Sequence, residues 1–394
     1  MKVPIARVDL NNIEVNSLFK PLNSGWLVQG KEVADFEEKW SNFTGIKHSV
    51  AVNSCTSGLQ LALVACGFQH GDEAIVPAFT WISTANVVEN LGGNVKFCDI
   101  DLETFNLEIN KLKDHTFKNI SAIIPVHLFG LPADLDFIFD LSKKHALKVI
   151  EDAACGMGSE VNGKHVGGVG DVGCFSFHPR KSITTGEGGM LTTNDDNVAK
   201  RLRMLRDNGA HVSDAQKQLG QRPYLLADHL VNGYNMRMTD LQGALGSAQM
   251  ERSKEIVDQR RMLAKTYNQA FKDIDFLRTP IEETKNKKNG FQSYPCLFQP
   301  FDLNLKNVKK INRLRNEWMD NLNQLGVSTR PATHAVHLLS YYREKYKIKA
   351  EDFPNAYIAD QCSVSLPLFH GMTSDEQDYV ITSVIDVFSK MNLR

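Results

Sequence analysis

The sequence has no Cys-x-x-Cys pair, no apolar run long enough to span a bilayer and almost no net charge. Each absence removes a class of protein. The 7 cysteines, at 55, 66, 98, 155, 174, 296 and 362, are odd in number and scattered. Most sit inside apolar runs, where free cysteine behaves as a small buried hydrophobe. That pattern argues against a zinc site or a disulfide framework and for a reduced, cytoplasmic protein, with no metal expected. A formal net charge of −1 gives no bulk attraction to nucleic acid or to an anionic membrane, so neither is an expected partner. No membrane span is expected. The opening residues, MKVPIARVD, carry no apolar core of a signal peptide. No internal repeat, low-complexity tract or Pro/Ser-rich linker is found.

What is present is ordinary for a globular protein: 394 residues, 42% apolar and 23% charged. That length exceeds one compact core, so two domains are expected. Residues 1–30 read as an irregular arm. Residues 31–40 are amphipathic with helical spacing. Strand-like runs at 48–52, 74–77, 94–98, 120–126 and 147–150 are separated by helical stretches at 59–66, 82–91 and 135–145. This alternation predicts an α/β fold with right-handed crossovers and a mostly parallel sheet flanked by helices. A long helix over 253–271 marks the boundary between residues 1–252, the arm and large domain, and residues 253–394, a smaller C-terminal α+β domain.

In parallel sheets, ligands sit beyond the carboxyl ends of the strands. Thr80, Trp81, His127, Asp152 and the segment 176–181 all fall at or just past such ends. The stretch at 173–190, GCFSFHPRKSITTGEGGM, places Lys181 in a Gly/Ser/Thr loop between two apolar runs. A lysine becomes nucleophilic when desolvation or a neighbouring cation lowers its pKa, and Arg180 is adjacent. A solvated surface lysine is the plain alternative. The segment NSCTSG at 53–58, between a strand and a helix, can form an anion site on free first-turn N–H groups, or an N-cap alone. Asp152 could likewise be a helix cap.

These motifs resemble those of the DegT/DnrJ/EryC1/StrS sugar aminotransferases, fold-type-I enzymes that use pyridoxal phosphate (PLP). The resemblance rests on Ser176-Phe-x-x-x-Lys181 followed by the Gly-Glu-Gly-Gly loop, and on Glu151-Asp-Ala-Ala154. It implies that Lys181 holds PLP covalently and shuttles protons, and that Asp152 faces the pyridine nitrogen. It gives Thr56, Ser57 and Ser176 to the phosphate and Trp81 to stacking on the ring. Asn235 would reach the phosphate of a neighbouring subunit, which implies a homodimer with shared active sites. Cys155 stands where the family usually has Gln or His beside the ring oxygen, and Cys55 stands where glycine is common. His127, Arg330 and His334 are candidates for sugar or nucleotide contacts. The implied reaction moves the amino group of L-glutamate, leaving 2-oxoglutarate, to a nucleotide-linked 4-keto-6-deoxyhexose, in a surface-glycan or lipopolysaccharide pathway. A 3-keto sugar, a cyclitol (inosose) or a non-catalytic regulatory role are the alternatives.

Overall fold

The computed structural model describes residues 1–113, 117–212, 222, 224–284 and 286–391. Seven strands form the large sheet: β1 (His48–Val52), β2 (Glu73–Pro77), β3 (Asn94–Cys98), β4 (Ile120–Ile123), β5 (Lys148–Asp152), β6 (Val172–Ser176) and β7 (Gly189–Thr193). Their order is β1-β7-β6-β5-β4-β2-β3. Only β7 runs against its neighbours. The strands are short apolar runs buried on both faces, as a helix-covered parallel sheet requires.

The reversed strand decides where the site lies. Gly189 at the start of β7 is paired with Ser176 at the end of β6 and with Val52 at the end of β1. The loop from 177 to 188, carrying Lys181, therefore lies off the carboxyl edge of the parallel strands. In the same register Asp152, the last residue of β5, is level with Cys174. Gly189 has no room for a side chain. A Cβ there would lie 2.7 Å from the backbone of Ser54 and Cys55, where the next helix begins.

That helix, Cys55–Ala65, starts four residues earlier than its apolar pattern suggested. Ser54 accepts the Ser57 N–H at 3.1 Å and fixes the start. The arm also differs from expectation, because it contains two short helices, Asn12–Ser17 and Phe19–Ser24. A capping box between Asn11 and Glu14 begins the first. Glu14 is fully buried against Arg252 at 2.7 Å, so a tertiary ion pair fixes a segment whose local pattern is weak.

The helix Ser253–Phe271 begins where the two parts were divided. Beyond it, Leu277–Arg278, Tyr294–Phe298 and Ser363–Leu366 form a three-stranded antiparallel sheet. Trp318, from the helix Val308–Gln324, stacks on Phe298 at 5.2 Å, and both are fully buried. The start of the arm packs on this part. Val3 pairs with Val327, and Arg7 bonds Glu376 at 2.9 Å.

Candidate active site

The ends of β5 and β6, the start of the helix Cys55–Ala65 and the loop holding Lys181 enclose a cavity of about 430 Å³. Thr56, Trp81, Asp152, Cys155, Ser176, Lys181 and Arg330 line it. Among the described residues, Ser57, His127, Asn235 and His334 are outside its wall. Ser57 still belongs to the rim, since its hydroxyl lies 2.9 Å from that of Ser54.

Lys181 and Asp152 face the same cavity with opposite charges. The Lys181 amine lies 3.2 Å from the Cys155 sulfur. Burial pushes the Lys181 pKa down, but Cys155, Cys55 and Asp152 outweigh it and hold the ammonium above its ordinary value. The expectation of a lysine lowered by desolvation and Arg180 is therefore reversed. The chain packs sulfur and carboxylate around the amine, and their pull exceeds the burial penalty. Asp152 goes up for a simpler reason. Burial dominates, and the bonds from Thr84 Oγ1 at 2.8 Å and the Ala154 N–H at 3.1 Å, with the Lys181 charge, offset it only in part. A carboxylate raised in this way is well matched to a cationic ring nitrogen, which would stabilise its charged form.

The rim by the helix start is made for an anion. Helix N–H groups in the first turn have no carbonyl one turn back, and the helix dipole favours negative charge there. Ser54, Thr56, Ser83 and Ser176 bring hydroxyls to this wall, with Thr56 Oγ1 donating to Ser83 Oγ at 3.0 Å. Trp81 shows half its surface and lines the same space. An amine, a buried carboxylate, a hydroxyl-rich helix start and an open indole fit the donor set PLP needs.

His127 requires a correction as a substrate contact. It is fully buried, accepts the Ala133 N–H on Nδ1 at 3.1 Å and meets Glu151 through Nε2 at 2.9 Å. With Nδ1 accepting, Nε2 carries the proton and donates it to the carboxylate. Glu151 also accepts the N–H groups of Gly167, Val169 and Gly170 at 2.7, 2.9 and 2.7 Å. Burial pushes its carboxyl up, but His127 and these N–H groups prevail and hold it below the usual carboxylate range. The pair pins the segment 167–170, which leads into β6, to the end of β5. His127→Ala should cost about 3 kcal/mol of stability, because the buried Glu151 carboxylate loses one of its donors, read from the urea midpoint. A raised KM for the keto sugar with unchanged stability would restore a substrate role.

His334 is exposed, with its ring 5.8 Å from that of Trp81, and buttresses the indole from outside the cavity. Arg330 lines the cavity, and no carboxylate pairs with its guanidinium among the described residues. Asn235 is exposed and paired with Asp207, away from this chain's own cavity. Sequence reasoning missed Thr84 and Ser83. Both lie in the first turn of Ser83–Asn90 and read there as ordinary helix-start residues. Only the fold, which sets the start of that helix beside the end of β5, brings Thr84 to Asp152.

Residues 9–385 match the DegT/DnrJ/EryC1/StrS aminotransferase family. The spore coat polysaccharide biosynthesis protein SpsC of Bacillus subtilis is 34% identical over 95% of this chain and 94% of its own. The GDP-perosamine synthase of Caulobacter vibrioides is 33% identical over 98% of each. The solved structure of Helicobacter pylori PseC, an aminotransferase involved in pseudoaminic acid biosynthesis, superposes with a TM-score of 0.89 at 25% identity. The match covers 99% of this chain and 100% of that one. The chain belongs to the DegT/DnrJ/EryC1/StrS family of fold-type-I, PLP-dependent sugar aminotransferases.

Proposed function

We propose that the protein transfers the amino group of L-glutamate to the C4 ketone of a nucleotide-linked 4-keto-6-deoxyhexose, for surface-glycan or lipopolysaccharide synthesis. The observation that carries this is the convergence of Lys181 and Asp152 on one cavity beside a hydroxyl-rich helix start. The loop TTGEGG at 184–189 favours the 4-keto substrate by its likeness to members of that kind. The similarity to a GDP-perosamine synthase agrees with a nucleotide sugar. Arg330, with no acidic partner among the described residues, is suited to the carboxylate or phosphate of a substrate.

When bound, PLP supplies an electron sink for the electrons left as a proton leaves the donor's α-carbon. Thr56, Ser57 and Ser176, with the first-turn N–H groups, would hold its phosphate. Trp81 would cover the ring and Asp152 would keep the ring nitrogen protonated. Cys155 would lie by the ring oxygen, a weaker hydrogen-bond partner than Gln or His. Lys181 would tether the cofactor, yield to the incoming amine, and then act through Nζ as the base and acid that move the α-proton. Asn235 would complete the site of a second copy. Large exposed apolar side chains in the arm, among them Ile13, Phe19, Leu22 and Trp26, favour such a homodimer.

An absorption titration tests this reading. L-Glutamate should bleach the visible band of PLP-loaded protein. After removal of the excess, a nucleotide-linked 4-keto sugar should restore it, while 3-keto sugars and an inosose should not. Restoration by a 3-keto sugar or an inosose would move the assignment to that substrate. No bleaching would support a regulatory role.

A further inference from the structure

Lys181 and Cys155 make a contact that aminotransfer does not require. Nζ and Sγ are 3.2 Å apart, and both side chains line the cavity. Sulfur becomes an effective nucleophile beside a cation and within reach of small molecules. Lys181 supplies the cation, and a cavity of about 430 Å³ admits a molecule the size of hydrogen peroxide. The nearby thiol pair is different. The sulfurs of Cys55 and Cys174 are 3.5 Å apart, and Cys174 is fully buried. Its hydrogen bond to Cys174, then burial, pushes the Cys55 thiol well above its ordinary value, which makes it sluggish.

From this geometry we propose that Cys155 is an oxidation site for hydrogen peroxide, and that Lys181 captures the oxidised sulfur as a covalent sulfenamide in protein free of cofactor. In the first step the Cys155 thiolate attacks one peroxide oxygen and the O–O bond breaks. Sulfur is oxidised by two electrons to a sulfenic acid, and the second oxygen takes a proton and leaves as water. In the second step the Lys181 amine, left unprotonated because its ammonium gave that proton to the departing oxygen, attacks that sulfur. An S–N bond forms, the S–O bond breaks, and hydroxide leaves as water with a proton from the amine. Thiol, amine and peroxide thus give one S–N link and two waters. Sulfenic acids condense with thiols or nitrogen in this way, and such links are reducible by thiols. A lysine so bound cannot tether PLP, so the oxidised site cannot hold the cofactor covalently until it is reduced. This last consequence rests on the proposed function; the link itself does not.

The experiment treats the full-length protein, freed of cofactor, with hydrogen peroxide and analyses its peptides by mass spectrometry. The expected product joins the Cys155 and Lys181 peptides and is two hydrogens lighter than their sum. Dithiothreitol should reverse it. Cys155→Ser should give no link, and Lys181→Arg should stop at a sulfenic acid that dimedone traps. Circular dichroism checks that both variants fold. A Cys155 sulfinic acid with unlinked Lys181, or a Cys55–Cys174 disulfide in place of the link, overturns the proposal. PLP-loaded protein should give no link. A link formed equally with PLP present would uphold the oxidation site and overturn Lys181 as the cofactor tether.

Discussion

Lys181→Ala should lower turnover with L-glutamate and the keto sugar at least about 10³-fold, within the range expected for a lost general acid–base group. The release of 2-oxoglutarate measures this. PLP should still remain with the variant through gel filtration, because Asp152, Ser176 and the helix start are untouched. Glutamate should not bleach its visible band, because the α-proton has no base to take it. The stability effect has a separate sign. A folded-state lysine pKa above the ordinary value contributes stability that is fully present below that value. The contribution is lost as pH rises through the folded one. Apoprotein carrying Lys181→Ala should therefore unfold at a lower temperature than the parent at pH 7. The gap should close only in strong alkali, since the variant also leaves Asp152 without a counter-charge. Turnover near the parent's would remove Lys181 from the chemistry.

Much of this site was legible because its parts sit on strand ends, and short apolar runs mark strand ends well. Asp152 closes β5, Ser176 closes β6 and Lys181 follows in the loop. The order of strands was not legible. Nothing in GMLTT announces that β7 runs backwards, yet that reversal puts the Lys181 loop over the site. The residues that tune charge were hidden for the same reason. Thr84 reaches Asp152 from 68 residues away, and Glu14 reaches Arg252 from 238. Local pattern carries no trace of such pairs. His127 shows the opposite error. A histidine at a strand end looks like a ligand, and only its two buried bonds reveal a strut.

Asp152→Asn should separate stability from function at one position. Activity should fall about 10²–10³-fold, the usual cost of removing one group that stabilises charge in a reacting site. The amide cannot neutralise a protonated ring nitrogen, so the cofactor would lose its hold on the proton there. Stability of the apoprotein should move the other way. Because burial raises the Asp152 pKa, the folded state keeps this proton at pH values where the unfolded chain has already lost it. Stability therefore falls as pH rises from the ordinary aspartate value through the folded one. Above that window Asp152 is a buried charge, and the asparagine relieves it. The amide can keep both contacts. Its oxygen accepts the Ala154 N–H, and its NH2 donates to Thr84 Oγ1, whose own proton turns to the Trp81 carbonyl at 3.1 Å. The variant should thus melt above the parent at pH 7, with the two curves converging near pH 4. Asp152→Ala should not share the gain, because it orphans the Ala154 N–H and opens a hole. If Asp152→Asn melts lower and keeps full activity, the carboxylate is a structural strut like Glu151, and the ring nitrogen has no partner here.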